Sequence, residues 1–398
     1  MIVLPDKETA STILTKTIAM TYAIVLMSVF IIFCTGCGWA SHSLVTINKT
    51  LPISPLPIPK SYSPVQTLVL SPDEKYLIQG QHITAKEGES FSGDILQIWN
   101  IEKKKHILVN RQRANANLTA TFSPDSKYVI FCGNAGVTRV LLSDDTMKFD
   151  ATGFRNSDSA RLSNEMVEVV PFEEPKCLSD DGTLVACLIN AEWQIQSVDA
   201  QSNAIALPDN ADRFLAFSHD NKYAATTIKN GNTPGAGATV AVWALHELDE
   251  KGTPSLIREI SVPSYFPSAE KTRFSPNGRF LALPSRQGYI GVWDVMSGKM
   301  HKELGVHDGS IRTLEFSHDG KMLAVGTQEA SGKHGKIYLW NAVTGELMRP
   351  EINESQAKGV TALCFSSDNE TIFIGNTSGE IKRKNIKSGD SLFSFLSQ

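Results

Sequence analysis

The chain has 398 residues, 41% of them apolar and 20% charged, with a formal net charge of −4. That is the composition of a globular protein, and the near-balanced charge excludes the basic field by which nucleic-acid binders hold phosphate. Six cysteines in so long a chain exclude a disulfide framework.

The N-terminus is set apart. Between residues 17 and 48 there is no Asp, Glu, Lys or Arg, and residues 18–34 read IAMTYAIVLMSVFIIFC. That run is at the lower limit for spanning a bilayer and slightly long for the apolar part of a signal peptide. It enters CTGCG (34–38), where Thr35 and Gly36 precede Cys37. The stretch resembles the lipobox of bacterial lipoproteins, which implies a signal or lipobox segment over residues 1–37 with Cys37 lipidated. It departs from that pattern in Cys34, where Leu is preferred, and in an n-region whose Lys7 and Lys16 are offset by Asp6 and Glu8. An uncleaved anchor helix is the other reading. Both predict a membrane-associated, extracytoplasmic chain.

Residues 38–64 read as a linker. Pro52, Pro55, Pro57, Pro59 and Pro64 remove backbone donors and favour an extended spacer. The apolar residues between them would equally pack on the flank of a following domain.

From residue 65 one phrase recurs. FSPNGRF (274–280) has counterparts FSPDSKY (122–128), FSHDNKY (217–223), FSHDGKM (316–322) and FSSDNET (365–371), with looser copies LSPDEKY (70–76) and LSDDGTL (178–184). Each places a turn between two apolar strands, and Asn277-Gly278 is a strong hairpin signal. In the fifth copy RFLALPS, YIGVWDV and MHKELGV follow as short β-branched or aromatic runs separated by turns. Four short strands per repeat cannot bury both faces alone, so seven such sheets must stack radially. The expectation over 65–398 is an all-β, seven-bladed β-propeller of four-stranded antiparallel blades.

The copies at 274–299 and 316–346 resemble WD repeats. The Trp-Asp signature stands as Trp293-Asp294 and is relaxed to Trp340-Asn341, Trp99-Asn100 and Trp243-Ala244. TRVLLSD, WQIQSVD and EIKRKNI take its place in the second, third and seventh repeats, where Trp193 lies at the far end of the strand and Lys384 holds the signature position. The resemblance further implies a polar tetrad, which His307, Thr327 and Trp340 fit in the sixth repeat without the turn Asp. His307 is therefore expected to be a structural hydrogen-bonding residue. For ring closure, SLFSFLS (391–397) supplies a fourth strand to the last repeat, while SLVTINK (43–49) would pair at the seam in an alternative closure.

Insertions fall between the second and third strands, in QHITAKEGESFSGD (81–94), KNGNTPGAGA (229–238) and QEASGKHGK (328–336). With the stretch near 150–168, taken as a link between repeats, they are expected on one rim. Loops gathered on one face of a rigid scaffold bind, although insertions also accumulate because long loops cost little.

No Gly-x-Ser-x-Gly elbow or phosphate loop is present, and Cys34-x-x-Cys37 belongs to the leader. Cys132 and Cys364 read as small core residues. A bridge between Cys177 and Cys187 stays open, although alternation turns the two side chains to opposite faces. Lys103–Lys105 and Lys382–Lys384 read as solvated turn or strand edge. No catalytic, cofactor or metal residue is expected. The function expected is a membrane-tethered, non-enzymatic scaffold that binds a protein partner on the long-loop face. The alternative is a periplasmic ligand-sensing or enzymatic propeller that uses its central channel.

Overall fold

The computed structural model describes residues 64–83, 93–113, 119–133, 136–142, 167–170, 175–198, 204–229, 238–262, 271–285, 288–305, 307, 309–329, 334–354 and 359–396. The leader with Cys37, the linker up to residue 63, the 43–49 stretch and most of each insertion lie outside them. Among the described residues no helix is long and apolar enough to cross a membrane.

Twenty-eight strands form seven four-stranded antiparallel sheets, each a meander of consecutive strands. Blade 1 holds β1 (Val65–Leu70), β2 (Tyr76–Ile83), β3 (Gly93–Asn100) and β4 (Lys105–Arg113). Blade 2 holds β5 (Ala120–Phe122), β6 (Tyr128–Gly133), β7 (Gly136–Leu141) and β8 (Val167–Val170). Blade 3 holds β9 (Pro175–Leu178), β10 (Leu184–Ile189), β11 (Glu192–Ser197) and β12 (Ile205–Ala206). Blade 4 holds β13 (Ala211–Phe217), β14 (Tyr223–Ile228), β15 (Ala238–Leu248) and β16 (Pro254–Val262). Blade 5 holds β17 (Arg273–Phe274), β18 (Phe280–Pro284), β19 (Ile290–Asp294) and β20 (Met300–Leu304). Blade 6 holds β21 (Ser310–Phe316), β22 (Met322–Gln328), β23 (Gly335–Asn341) and β24 (Leu347–Glu354). Blade 7 holds β25 (Val360–Phe365), β26 (Thr371–Asn376), β27 (Glu380–Asn385) and β28 (Ser391–Leu396).

Seven apolar clusters occupy the seven blade interfaces. Between blades 4 and 5, for example, Leu215, Val240 and Val242 meet Phe274, Leu281 and Trp293. The alternation that gives each strand two apolar faces therefore serves two neighbours, which is why a single repeat would not fold alone. First strands of successive blades touch around the ring, β1 with β5, β9 with β13 and onward to β21 with β25. They are thus innermost and surround the axis.

The ring closes by packing, without exchange of a strand. All four strands of blade 7 come from its own repeat, and β1 lies against β25 and β26. Val65, Leu68, Leu77 and Trp99 pack there on Ala362, Phe373 and Ile381. Gly375 permits the approach: a Cβ built on it would sit 2.6 Å from Val65 Cγ1. The Glu74 carboxylate spans the same seam, accepting from the Ser367 amide and hydroxyl at 2.6 Å each.

Cys132, Cys177, Cys187 and Cys364 are all unbridged. Cys187 is buried and Cys177 half-buried, on opposite faces as alternation requires. Cys364 lies at the margin of the core expected for it. It precedes Phe365 on an innermost strand, is half-buried, and packs against the apolar cluster between blades 7 and 1. Lys384 departs from a solvated edge, being 9% exposed opposite Ile372 in blade 7.

Candidate functional site

The recurring phrase is a self-contained polar clamp. In every repeat the Ser hydroxyl accepts from the amide of the first return-strand residue at 2.9–3.0 Å. The same hydroxyl donates to the Asp or Asn two residues on, at 2.6–2.8 Å. That side chain accepts a second amide, two residues further, at 2.8–3.2 Å. The intervening residue has φ between +57° and +70° in all seven, which explains Gly182, Gly278, Gly320, Asn221 and Asn369 there. Glu74 and Ser126 adopt the same conformation, and Glu74 is the residue that reaches across the seam. The clamp carboxylates are held below the usual carboxylate range. For Asp125 the Ser123 hydroxyl is the chief cause, and its value falls to about 2. For Asp73, Asp220 and Asp319 burial opposes the shift, but the hydrogen bonds from Ser and the Lys amide outweigh it.

The signature residues are likewise structural. Asp294 accepts from the Ser297 amide at 2.9 Å and from Arg279 at 3.1 Å, and so caps the turn before β20. Asn100, Asn341 and Asn385 cap the equivalent turns through their Oδ1 atoms. This accounts for the tolerance of Asn after the Trp. Ala244 has no such group, so β15 runs on to Leu248 and Asp249 caps a longer hairpin instead.

Trp99, Trp243, Trp293 and Trp340 are register equivalents, paired with Leu77, Ala224, Leu281 and Leu323. Two residues beyond Leu77 and Ala224, on the same face, stands the group that the indole N–H reaches, whereas Leu283 holds that position in blade 5. Trp243 Nε1 donates to Thr226 Oγ1 at 2.9 Å, and Trp99 Nε1 to Gln79 Oε1 at 2.7 Å. In the sixth blade that position is apolar Val325, and the bond goes elsewhere. Trp340 Nε1 donates to His307 Nε2 at 2.9 Å. The neutral ring then carries its proton on Nδ1, 2.7 Å from the Gly288 carbonyl of blade 5. Thr327 is fully buried, and its hydroxyl lies 3.4 Å from the Lys336 carbonyl. The Trp340–His307 bond is direct, so the tetrad implied for His307, Thr327 and Trp340 is reorganised around the absence of a polar group at position 325. Blade 1 uses the same inter-blade route: Gln79 Nε2 donates to the Gly379 carbonyl of blade 7 at 3.1 Å.

Around the axis, one residue per blade stands just before the motif's apolar position: Val69, Thr121, Cys177, Ala216, Arg273, Glu315 and Cys364. Arg273 Nε lies 3.2 Å from Glu315 Oε2, and their side chains are 40% and 35% exposed although both occupy innermost strands. Water thus reaches the axis. Burial among the surrounding strands pushes the Glu315 carboxyl up to about 7, against the pull of Arg273 and with a further push from Asp180. Asp180 pairs with His219 at 3.2 Å, and that hydrogen bond raises the imidazole. Burial drives the Cys177 and Cys364 thiols up to about 12, far from a reactive thiolate. The charged groups Asp180, His219, Arg273 and Glu315 come from four repeats, and no spacing in the sequence announces them. Among the described residues no three His, Cys, Asp or Glu side chains form a metal-binding group.

A meander places the 1–2 and 3–4 turns at one rim and the 2–3 turns with the blade links at the other. Hydrogen bonds tie the latter pair together, as in His307 N to Gly288 O and Thr377 N to Gly359 O, each 3.0 Å. β2, β14 and β22 end at this link rim, and most of each insertion that follows them lies outside the described residues. The stretch near 150–168 departs from the expectation. VEVV at Val167–Val170 pairs with β7 as the fourth strand of blade 2, so residues 143–166, which lie outside the described residues, connect third to fourth strand and are not a link between blades.

Residues 298–341 match the model of the WD domain, G-beta repeat. The match begins at the turn before β20 and ends with β23, so one sequence repeat straddles two blades. Periodic tryptophan protein 2 of Arabidopsis thaliana is 31% identical over 26% of this chain and 13% of its own length. The U3 small nucleolar RNA-associated protein 18 homolog of the same plant is 31% identical over 32% of this chain and 24% of its own. The WD repeat-containing protein 26 homolog of Drosophila melanogaster is 30% identical over 27% of this chain and 18% of its own. The matched regions thus span less than a quarter of these relatives.

Proposed function

We propose that this WD-repeat propeller is a non-catalytic protein-interaction scaffold, held at a membrane by its N-terminal segment. One observation carries the scaffold reading: the recurring polar groups of the repeats, the clamp Ser and Asp side chains and His307, are taken up in hydrogen bonds within and between blades. Both His307 nitrogens are engaged by Trp340 and Gly288, and the turn Asp residues are engaged by backbone amides. What remains variable is loop, and most of it opens on the link rim. The similarity to a U3 small nucleolar RNA-associated protein and to other WD-repeat proteins favours a role inside assemblies. Photo-crosslinking from link-rim positions such as Lys229 and Glu329 tests it: discrete protein adducts support a scaffold, and their absence from every rim position argues against one.

The membrane tether rests on the sequence of residues 17–48. Intact-mass measurement of the membrane-extracted protein separates its two forms. A chain starting at acylated Cys37 is a lipoprotein, a chain retaining its N-terminus is anchored by a helix, and a chain recovered without detergent is neither.

A second reading is favoured by the axis. Arg273, Glu315, Asp180 and His219 converge where water enters, an arrangement suited to a small zwitterion or carboxylate. A thermal-shift screen of such compounds, with Arg273→Met as the control, would detect it. Ligand-dependent shifts lost in that variant would establish a sensing channel.

A further inference from the structure

We propose that a small carboxylate binds in the axial channel by taking the place of Glu315 on Arg273, and that Glu315 takes up a proton from solvent as it is displaced. This rests on the reading of the axis as a ligand channel and adds how that channel is loaded. Val69, Thr121, Cys177, Ala216 and Cys364 share the axial level of the pair and carry no charge, so Arg273 is the cation that an anion meets there. Its Nε lies 3.2 Å from Glu315 Oε2, longer than the ~2.7–2.9 Å of a tight charge-assisted bond. The two side chains are 40% and 35% exposed. A contact that long in a wet channel is open to exchange with a second carboxylate. Arg273 Nη1 donates to the Thr272 carbonyl at 3.0 Å, which holds the guanidinium in place while its acidic partner changes.

The charged groups around Glu315 come from several blades. Arg273 on β17 attracts it, Asp180 in the turn after β9 repels it, and His219 in the turn after β13 attracts it more weakly. His219 is itself paired with Asp180 at 3.2 Å. Cys364 on β25 and Cys177 on β9 are neutral thiols. In the turn that follows Glu315, Asp319 is held by the Ser317 hydroxyl and the Lys321 amide, and His318 Nε2 lies 3.4 Å from the Phe365 carbonyl. Glu74 of blade 1 is taken by Ser367 across the seam. Towards the link rim, Lys271 donates to the Ile311 carbonyl at 2.6 Å, and Lys176, Asp212, Arg213 and Arg312 precede the level of the pair in their strands.

Local neutrality couples the ligand to the proton. With Glu315 and His219 ionised, the Arg273–Glu315 and Asp180–His219 pairs carry no net charge. A bound carboxylate adds one negative charge among strands that screen it poorly, and a proton on Glu315 removes it. The displaced carboxyl also loses the attraction of Arg273 while Asp180 still repels it. Its folded value already stands at about 7, because burial outweighs the pull of Arg273, so loss of that partner carries it higher. No covalent bond to carbon changes: the ligand accepts the guanidinium hydrogen bond that Glu315 gives up, and water or buffer supplies the proton. Above pH 7 the Glu315 of the empty channel is ionised, so binding draws in a proton and affinity falls by up to about tenfold per pH unit as pH rises. Well below pH 7 Glu315 is neutral before the ligand arrives, and affinity levels off.

The test uses the full chain and sodium acetate, followed by isothermal titration calorimetry at about pH 7.5 in MOPS and in Tris buffer. The two buffers differ in ionisation enthalpy, so the difference in heat reports the protons taken up per acetate, expected to be most of one. Affinity should fall about three- to tenfold from pH 7 to 8 and change less than about twofold from pH 5.5 to 6.5. Glu315→Gln should bind acetate more tightly at about pH 8, take up no proton and show a flat pH profile. Arg273→Met should abolish binding, and His219→Gln should lower affinity yet keep the proton uptake. If Glu315→Gln loses its cooperative melt, Asp180→Asn replaces it: without the like charge, the fall in affinity should move to lower pH. Acetate binding without proton uptake, uptake that persists in Glu315→Gln, or uptake lost in His219→Gln overturns the proposal and leaves a ligand channel standing. Failure of acetate to bind at any pH, or an equal response to sodium chloride, overturns the proposal together with the channel reading.

Discussion

Thr226→Val isolates one bond of the blade framework. Thr226 is fully buried, Trp243 is 3% exposed, and the indole donates to the hydroxyl at 2.9 Å. Valine nearly keeps the volume, so no cavity opens and the cost is the buried N–H stripped of this acceptor. That desolvation penalty is about 1–3 kcal/mol, offset in part by the buried methyl, for a net loss of about 1–2 kcal/mol. A ring of seven coupled blades need not unfold in one step, so the assay must be local. Native-state amide exchange across β14 and β15, which pair from Thr227↔Val240 to Tyr223↔Ala244, should accelerate about 5- to 30-fold. Trp243→Phe removes the donor together with ring area. The double variant should recover about 1 kcal/mol relative to the sum of the single effects. Unchanged exchange, or strict additivity, would refute the claim that the bond holds the blade.

The seam gives a steric prediction. Gly375→Ala should cost about 1–3 kcal/mol by driving a methyl into Val65, and Val65→Ala should relieve part of it, measured by thermal midpoints of the single and double variants. The turn clamps set the acid limit. Their Asp groups have lowered folded values, so the stabilisation they give is full above the ordinary 3.8 and is lost as pH falls towards about 2. A melting series from pH 6 to 2 should fall in that window, with a smaller fall in Asp319→Asn. Glu315 has the opposite sign. Its folded value of about 7 lies above the ordinary 4.5, so the folded state holds a proton that the unfolded state releases, and stability declines as pH rises between them. Glu315→Gln should flatten that decline.

The repeats were legible because their chemistry is local. A Ser, an Asp or Asn two residues on, and a residue tolerant of positive φ form the whole clamp within seven positions, so seven turns and the strands around them follow from pattern alone. The Trp positions were equally legible, since pairing register repeats with the turn. The axial pair was not. Arg273 and Glu315 are separated by a whole repeat, and each stands in a position that alternation alone assigns merely as away from the core. The seam bond from Gln79 to Gly379 spans 300 positions and follows only once the ring is closed. The segment before Val167 was misplaced because the usual short turn between third and fourth strands is replaced there by a long insertion, so the stretch near 150–168 reads as a link between repeats. The detour of Trp340 to His307 depended on Val325, an apolar residue whose significance is the bond it cannot make.

The scaffold claim is tested most directly by photo-crosslinking in the native cell, with probes placed singly at the link rim and at Lys127, in the turn between the first two strands of blade 2. The account predicts discrete protein adducts from the link rim and none from Lys127. Absence of protein adducts from every position, together with a small molecule that protects the axial Arg273–Glu315 pair, would contradict it and make the ring a ligand-binding channel.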